Sequence, residues 1–119
     1  MGGNSWQYRY DTGYLDPNGD WTNRHLGSMS TVDSYLNHRL NTHLPGLSIK
    51  LWVSSTTSDL DCVEVQHDRV DYGYACHEVD LNNVKVQTAS SGLTYISDAG
   101  VVTLVPNTWN YKIKAWVLG

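Results

Sequence analysis

Residues 61–81 read DCVEVQHDRVDYGYACHEVDL, from Asp61 to Leu81. The stretch holds both cysteines, both glutamates, and His67 and His77. Two runs rich in β-branched and aromatic residues, near 61–67 and 70–79, flank Asp68-Arg69-Val70. That is the pattern of a β-hairpin. With this tip, Cys62 faces Cys76, Val63 faces Ala75 and Glu64 faces Tyr74. Directly opposed cysteines come within disulfide reach. A bridge closing a loop of this length is worth roughly 3 kcal/mol in the chain-entropy model. It would also place the protein in an oxidising compartment. The register is the sensitive step, because a slip of one residue turns every side chain to the other face.

The same stretch offers a Cys/His set: Cys62, His67, Cys76 and His77. Its spacing matches no zinc pattern, and strand alternation turns His77 away from Cys76. His77-Glu78 begins like H-E-x-x-H, but Asp80 and Leu81 follow where the motif continues to a second histidine. No metal and no cofactor is expected here.

Moving outward, Leu47 to Val53 alternates cleanly, with Leu47, Ile49, Leu51 and Val53 on one face and Ser48, Lys50 and Trp52 on the other. Val84 to Thr88 is a short strand after an Asn82-Asn83 turn. Tyr95-Ile96 and Val101–Val105 flank Asp98-Ala99-Gly100, a hairpin turn. Trp109 to Val117 puts Trp109, Tyr111, Ile113, Ala115 and Val117 on one side and Lys112 and Lys114 on the other. Toward the N-terminus, Trp6 to Leu15 and a return strand from Trp21 to His25 flank Asp16-Pro17-Asn18-Gly19, a turn sequence. Residues 1–5 form a lead-in, flexible or held by an assembly.

One helix is expected, over about 31–43. Ser30-x-x-Asp33 resembles a capping box. Val32, Leu36, Leu40 and Leu44 recur at steps of four, and Pro45-Gly46 stops the run. The fold expected is therefore α+β: one domain over 1–119, a mostly antiparallel sheet or sandwich of about seven strands, with that amphipathic helix packed on it.

Composition narrows the function. The chain has 119 residues and a net charge of −4, and its basic residues are scattered. That is the wrong surface for a nucleic-acid backbone. No apolar run reaches the ~20 residues of a membrane span, so no membrane insertion is expected. MGGNSWQYRY has neither the basic start nor the apolar core of a signal peptide. Either the chain is kept without a signal or one has been removed. Asp16-x-Asn18-x-Asp20 begins like a calcium loop, but Trp21 stands at the required glycine and Gly27 at the bidentate glutamate. No nucleophile elbow, phosphate loop or paired carboxylates appear, so no enzyme is expected.

Aromatic faces remain. Five Trp and eight Tyr replace a complete absence of Phe. Trp6, Tyr8, Tyr10 and Trp21 crowd the N-terminal segment, where they can pair across strands or offer a stacking surface. Trp52 and Trp116 each break the polar face of their strand, beside Lys50 and Lys114. A Trp out of phase lies under a second layer or in an interface. The expectation is a non-catalytic structural or assembly protein, such as a component of a virion or another extracellular particle. It would contact other protein subunits of its own kind or another. The alternative is a secreted, disulfide-stapled binding module for carbohydrate or protein.

Overall fold

The computed structural model describes residues 6–16, 21, 26, 35–66 and 68–118. Among them the chain is β throughout, apart from two single 3-10 turns at Leu44–Gly46 and Asp59–Asp61. In chain order the strands are β1 Trp6–Asp11, β2 Tyr35–Asn37, β3 Leu47–Ser54, β4 Cys62–Glu64 and β5 Asp68–Arg69. They continue with β6 Tyr72–Asp80, β7 Asn83–Thr88, β8 Thr94–Ile96, β9 Val102–Leu104 and β10 Asn110–Leu118. One sheet has the order β1-β10-β3-β4 and a second β2-β7-β6-β5, while β8 and β9 form a separate two-stranded hairpin. Every pairing is antiparallel.

Alternation explains the layering. On the first sheet Leu51, Val53, Tyr111 and Ile113 point inward, and on the second Leu36, Tyr74, Val84 and Val86 do. These residues fall in one hydrophobic cluster with Val65, Leu93 and Val105 from the connections. The two sheets are thus packed face to face around a shared core. Trp21 and Leu26 belong to that core. The Trp21 indole meets Tyr111 edge-on at 5.6 Å, and its N–H donates to the Pro106 carbonyl at 2.8 Å. The Tyr111 hydroxyl donates to the Leu26 carbonyl at 3.0 Å. Each buried polar tip of these aromatics has its partner, as burial demands.

The helix expected over 31–43 is not present. Residues 31–34 lie outside the described residues, but Tyr35–Asn37 is strand β2, paired with β7. Arg39 and Asn41 carry φ of 59° and 52°, the left-handed region, which no right-handed helix contains. The reason lies in arithmetic. A step of four fits a helix, but it is also twice the strand period of two. Leu36 and His38 are buried, Leu40, Thr42 and Leu44 are half-buried, and the odd-numbered residues between them are exposed. The deciding positions are those at i+3. Arg39 and His43, three on from Leu36 and Leu40, are polar, so no apolar stripe of helical width forms.

The segment that follows β2 is strapped to the β6–β7 turn. The backbone N–H groups of His38 and Thr42 donate to the carbonyls of Asn82 and Leu81 at 2.9 and 2.8 Å. The Asn41 N–H donates to the Asn82 side chain at 2.8 Å. Glu78 holds the far end, accepting from the Leu44 N–H at 2.7 Å and from His43 Nδ1 at 2.8 Å.

The cysteine hairpin is also different from the expected one. Cys62 pairs with Ser54 on β3, and Cys76 with Val86 on β7. The stretch between them leaves the first sheet and enters the second, so the cysteines never face one another across a ladder. Both are free thiols, and the disulfide is absent. A hairpin does exist within the stretch, but its register is Asp68 opposite Gly73 and Arg69 opposite Tyr72. The turn is therefore Val70-Asp71, with Asp71 at φ 67°. A two-residue hairpin loop needs positive φ, and Asp tolerates it. The N-terminal segment likewise takes a distant partner: β1 runs beside β10, with Tyr8 opposite Trp116 and Asp11 opposite Lys114. Residues 17–20 and 22–25, the expected turn and most of its return strand, lie outside the described residues.

Candidate functional site

Register determines what gathers on the outer face of the first sheet. Because Tyr111, Ile113 and Ala115 face the core, Lys112, Lys114 and Trp116 must face away from it. On β3 the same logic turns Lys50 and Trp52 outward. Three of the four lysines of a net-acidic chain therefore share one surface with two tryptophans. Trp52 and Trp116 meet edge to face, with ring centroids 6.0 Å apart. The out-of-phase tryptophans of the sequence are thus brought together, with Lys114 between them along β10.

Lys112 is the unusual member. It sits on the outward face of a strand, yet it is only 8% exposed. Two connections cover it. Tyr14, on the segment after β1, lies under its ammonium, which is 4.7 Å from the ring centroid. Asp59, in the 3-10 turn before β4, accepts a hydrogen bond from Nζ at 2.8 Å and another from the Tyr14 hydroxyl at 2.8 Å. Asp11 stands 3.8 Å from Lys112 and 3.7 Å from Lys114. The Lys114 ammonium lies 6.0 Å from the centre of Trp52. A buried ammonium needs such partners, since an unpaired one would cost several kcal/mol.

The electrostatics follow from these contacts. The bond to Asp59 raises the Lys112 pKa against the opposing effect of burial. The bonds from Lys112 and then Tyr14 hold the Asp59 carboxyl below its usual range. The Tyr14 hydroxyl is pushed up, first by burial and then by its bonds with Cys62 and Asp59. The two lysines and the two aspartates offset one another locally. They border a recess of about 160 Å³ lined by Trp52, Asp59, Cys62, Lys112 and Lys114. Both bonds to Asp59 fall on Oδ1, which leaves Oδ2 turned to solvent, the side chain being 74% exposed.

The other aromatic candidates sit elsewhere. Trp21 is a core residue, 2% exposed, with no surface for a partner. Tyr10 is half-buried and packs against the core. Trp6 and Tyr8 lie on β1, opposite Leu118 and Trp116. Cys76 packs at the edge of the core, where burial pushes its thiol up to about 11. It lines a second cleft of about 360 Å³ with Leu44, Leu47, Ile49, Tyr74 and Ala75. No group of three or more metal-ligating side chains assembles among the described residues, and His67 lies outside them.

Two features escaped sequence reasoning. Lys112, Tyr14 and Asp59 are far apart in sequence, and only the tertiary pairing of β10 with β1 and β3 joins them. The second feature is the exposed aliphatic face of the β8–β9 hairpin, not the hairpin itself. Thr94, Ile96, Val102 and Leu104 share a face by register. Thr94 is buried at its root, where it donates to Gln66 at 2.9 Å. Ile96, Val102 and Leu104 are 51, 40 and 56% exposed, and adjacent Val101 is 58% exposed. The opposite face is the covered one, with the Tyr95 ring 5.3 Å from Trp109. The signal was present in the sequence as alternation, but alternation does not say which face is wet.

Comparisons with protein-family models, with curated proteins and with solved structures give no match for this chain.

Proposed function

We propose that this chain is a non-catalytic structural protein that works by contact with other protein subunits, and that the aliphatic face of the β8–β9 hairpin makes the contact. The observation that carries the reading is the set Ile96, Val102 and Leu104 on one face of the hairpin, each at least 40% exposed. Scattered exposed aliphatics are ordinary, but a contiguous set on one small hairpin marks an interaction surface. No other strand among the described residues joins β8 or β9. Beyond Thr94, whose carbonyl accepts from the Gln66 N–H at 2.8 Å, the hairpin therefore offers an apolar face and open edges, the two things a neighbouring strand uses. A second copy of the chain is the simplest occupant, since like hairpins bury like faces across a twofold axis. A particle built from repeated subunits, in a virion or another extracellular body, is the setting this reading proposes.

Sedimentation velocity of the purified protein across a hundredfold concentration range tests it. The wild type associates as concentration rises, and an Ile96→Asp/Leu104→Asp variant stays monomeric with an unchanged melting curve. A wild type that is monomeric throughout, or a variant that associates as well as the wild type, overturns it.

A further inference from the structure

The recess on the outer face of the first sheet is separate from the hairpin and independent of the assembly reading. We propose that it is a binding site for one pyranose ring of a neutral glycan, seated against Trp52 and hydrogen-bonded by Asp59, Lys112 and Lys114.

Four observations lead there. The first is size. About 160 Å³ is well below the roughly 300–1,000 Å³ of clefts that hold drug-sized ligands, and it leaves room for about one ring. The second is Trp52. Its side chain is half-buried on a face the core does not use, and it borders the recess. An aromatic side chain bordering a recess suits a ring that presents C–H groups, as a pyranose does. The third is charge. Lys112 and Lys114 are each within 4 Å of a carboxylate, Asp59 or Asp11. The pairs offset one another, so the recess does not present the concentrated charge of one sign that holds a phosphate, a carboxylate or a cation. What it presents instead is fixed donors beside fixed acceptors.

The fourth observation is pre-organisation. Lys112 is 8% exposed, and its Nζ is pinned by Asp59 at 2.8 Å and by the Tyr14 ring at 4.7 Å. A long side chain already immobilised loses little further entropy when a ligand arrives. Asp59 keeps Oδ2 open while Oδ1 takes both internal bonds. A sugar hydroxyl is both donor and acceptor. One hydroxyl can donate to Asp59 Oδ2, and its neighbour on the ring can accept from a lysine ammonium. Neither an apolar ligand nor a simple ion uses both halves of that arrangement.

The test uses the full chain and the methyl α- and β-pyranosides of glucose, galactose and mannose, titrated separately up to 50 mM. Binding is followed by tryptophan fluorescence and by amide chemical shifts. At least one glycoside gives a saturable response, centred on β3, β10 and residues 59–62. Trp52→Ala and Asp59→Asn each weaken it at least tenfold. Asp59→Asn keeps an oxygen that can accept from Lys112, and Asp11 remains beside that ammonium, so this variant folds even if Trp52→Ala does not. The bound sugar also slows iodoacetamide alkylation of Cys62, which lines the recess. No saturable response to any of the six glycosides overturns the proposal. So does a response that survives both substitutions, or a stronger response to sodium sulfate than to every sugar.

Discussion

His38 gives a prediction whose sign and window can be worked from the structure. The residue is 2% exposed, and its Nδ1 accepts the Leu40 backbone N–H at 3.0 Å. Nδ1 therefore carries no proton, and the neutral ring bears its hydrogen on Nε2, which is buried without a partner among the described residues. Burial lowers the His38 pKa below its ordinary 6.5, with nearby Asp80 partly offsetting the effect. The unfolded chain thus binds the proton more readily than the folded one. Stability is complete above pH 6.5, and it falls as pH drops from 6.5 toward the lowered folded value. The slope contributed by one such group cannot exceed about 1.4 kcal/mol per pH unit. For a domain of this size that corresponds to at most roughly 6 °C in Tm per unit.

Protonation would also set a donor against the Leu40 N–H and loosen the strap over 38–42. His38→Asn keeps an acceptor near the Nδ1 position but cannot titrate. Urea unfolding at pH 7.5, 6.5, 5.5 and 5.0 is the assay. The wild type loses stability across this range more steeply than His38→Asn. The carboxylates Asp59, Glu78 and Asp80, whose pKa values are lowered by their hydrogen bonds, act in the same direction only at lower pH. Equal slopes for the two proteins from pH 7.5 to 5.0 would refute the reasoning.

Other consequences can be checked with ordinary variants. Trp21→Ala removes a buried indole and its bond to the Pro106 carbonyl, and it costs about 3–5 kcal/mol in urea unfolding. Gly100 closes the β8–β9 turn at φ 81° with nothing within 4 Å of a Cβ position. Gly100→Ala therefore costs about 1–2 kcal/mol through backbone strain alone, and Gly100→Asn costs less. Lys112→Met leaves Asp59 in solvent and breaks the bonds of the ammonium. It raises the Asp59 pKa, measured by carbon-detected NMR titration, while the sheet register is unchanged. Without denaturant, thiol titration finds two free thiols, Cys62 reacting first, because burial holds the Cys76 thiol up at about 11. Reducing agent leaves the Tm unmoved.

Much of the sheet was legible in the residues. Leu47–Val53, Val84–Thr88 and Trp109–Val117 show clean alternation bounded by turn residues, and they match β3, β7 and β10 within a residue or two. The Asp98-Ala99-Gly100 turn is equally local. Two errors share a cause. Leucines spaced by four satisfy both periods, and only the polar residues at i+3 discriminate. The cysteine stretch pairs plausibly with itself, but strands pair with whatever packs best. Here β4 joins β3 and β6 joins β7. Long-range pairing leaves no local mark, which is also why β1 beside β10 was not seen. Of the candidate site, Trp52 and Trp116 stood out by phase. Their companions Lys112, Asp59 and Tyr14 did not, because a buried ammonium looks like any surface lysine until its cover is known.

The β8–β9 hairpin is the proposed contact surface between subunits. Amide hydrogen exchange of residues 94–104, measured at low and at high protein concentration, tests this most directly. Exchange there should slow markedly at high concentration, while β3 and β10 are unaffected. Exchange of 94–104 that is independent of concentration, with protection gained on another surface, would contradict it.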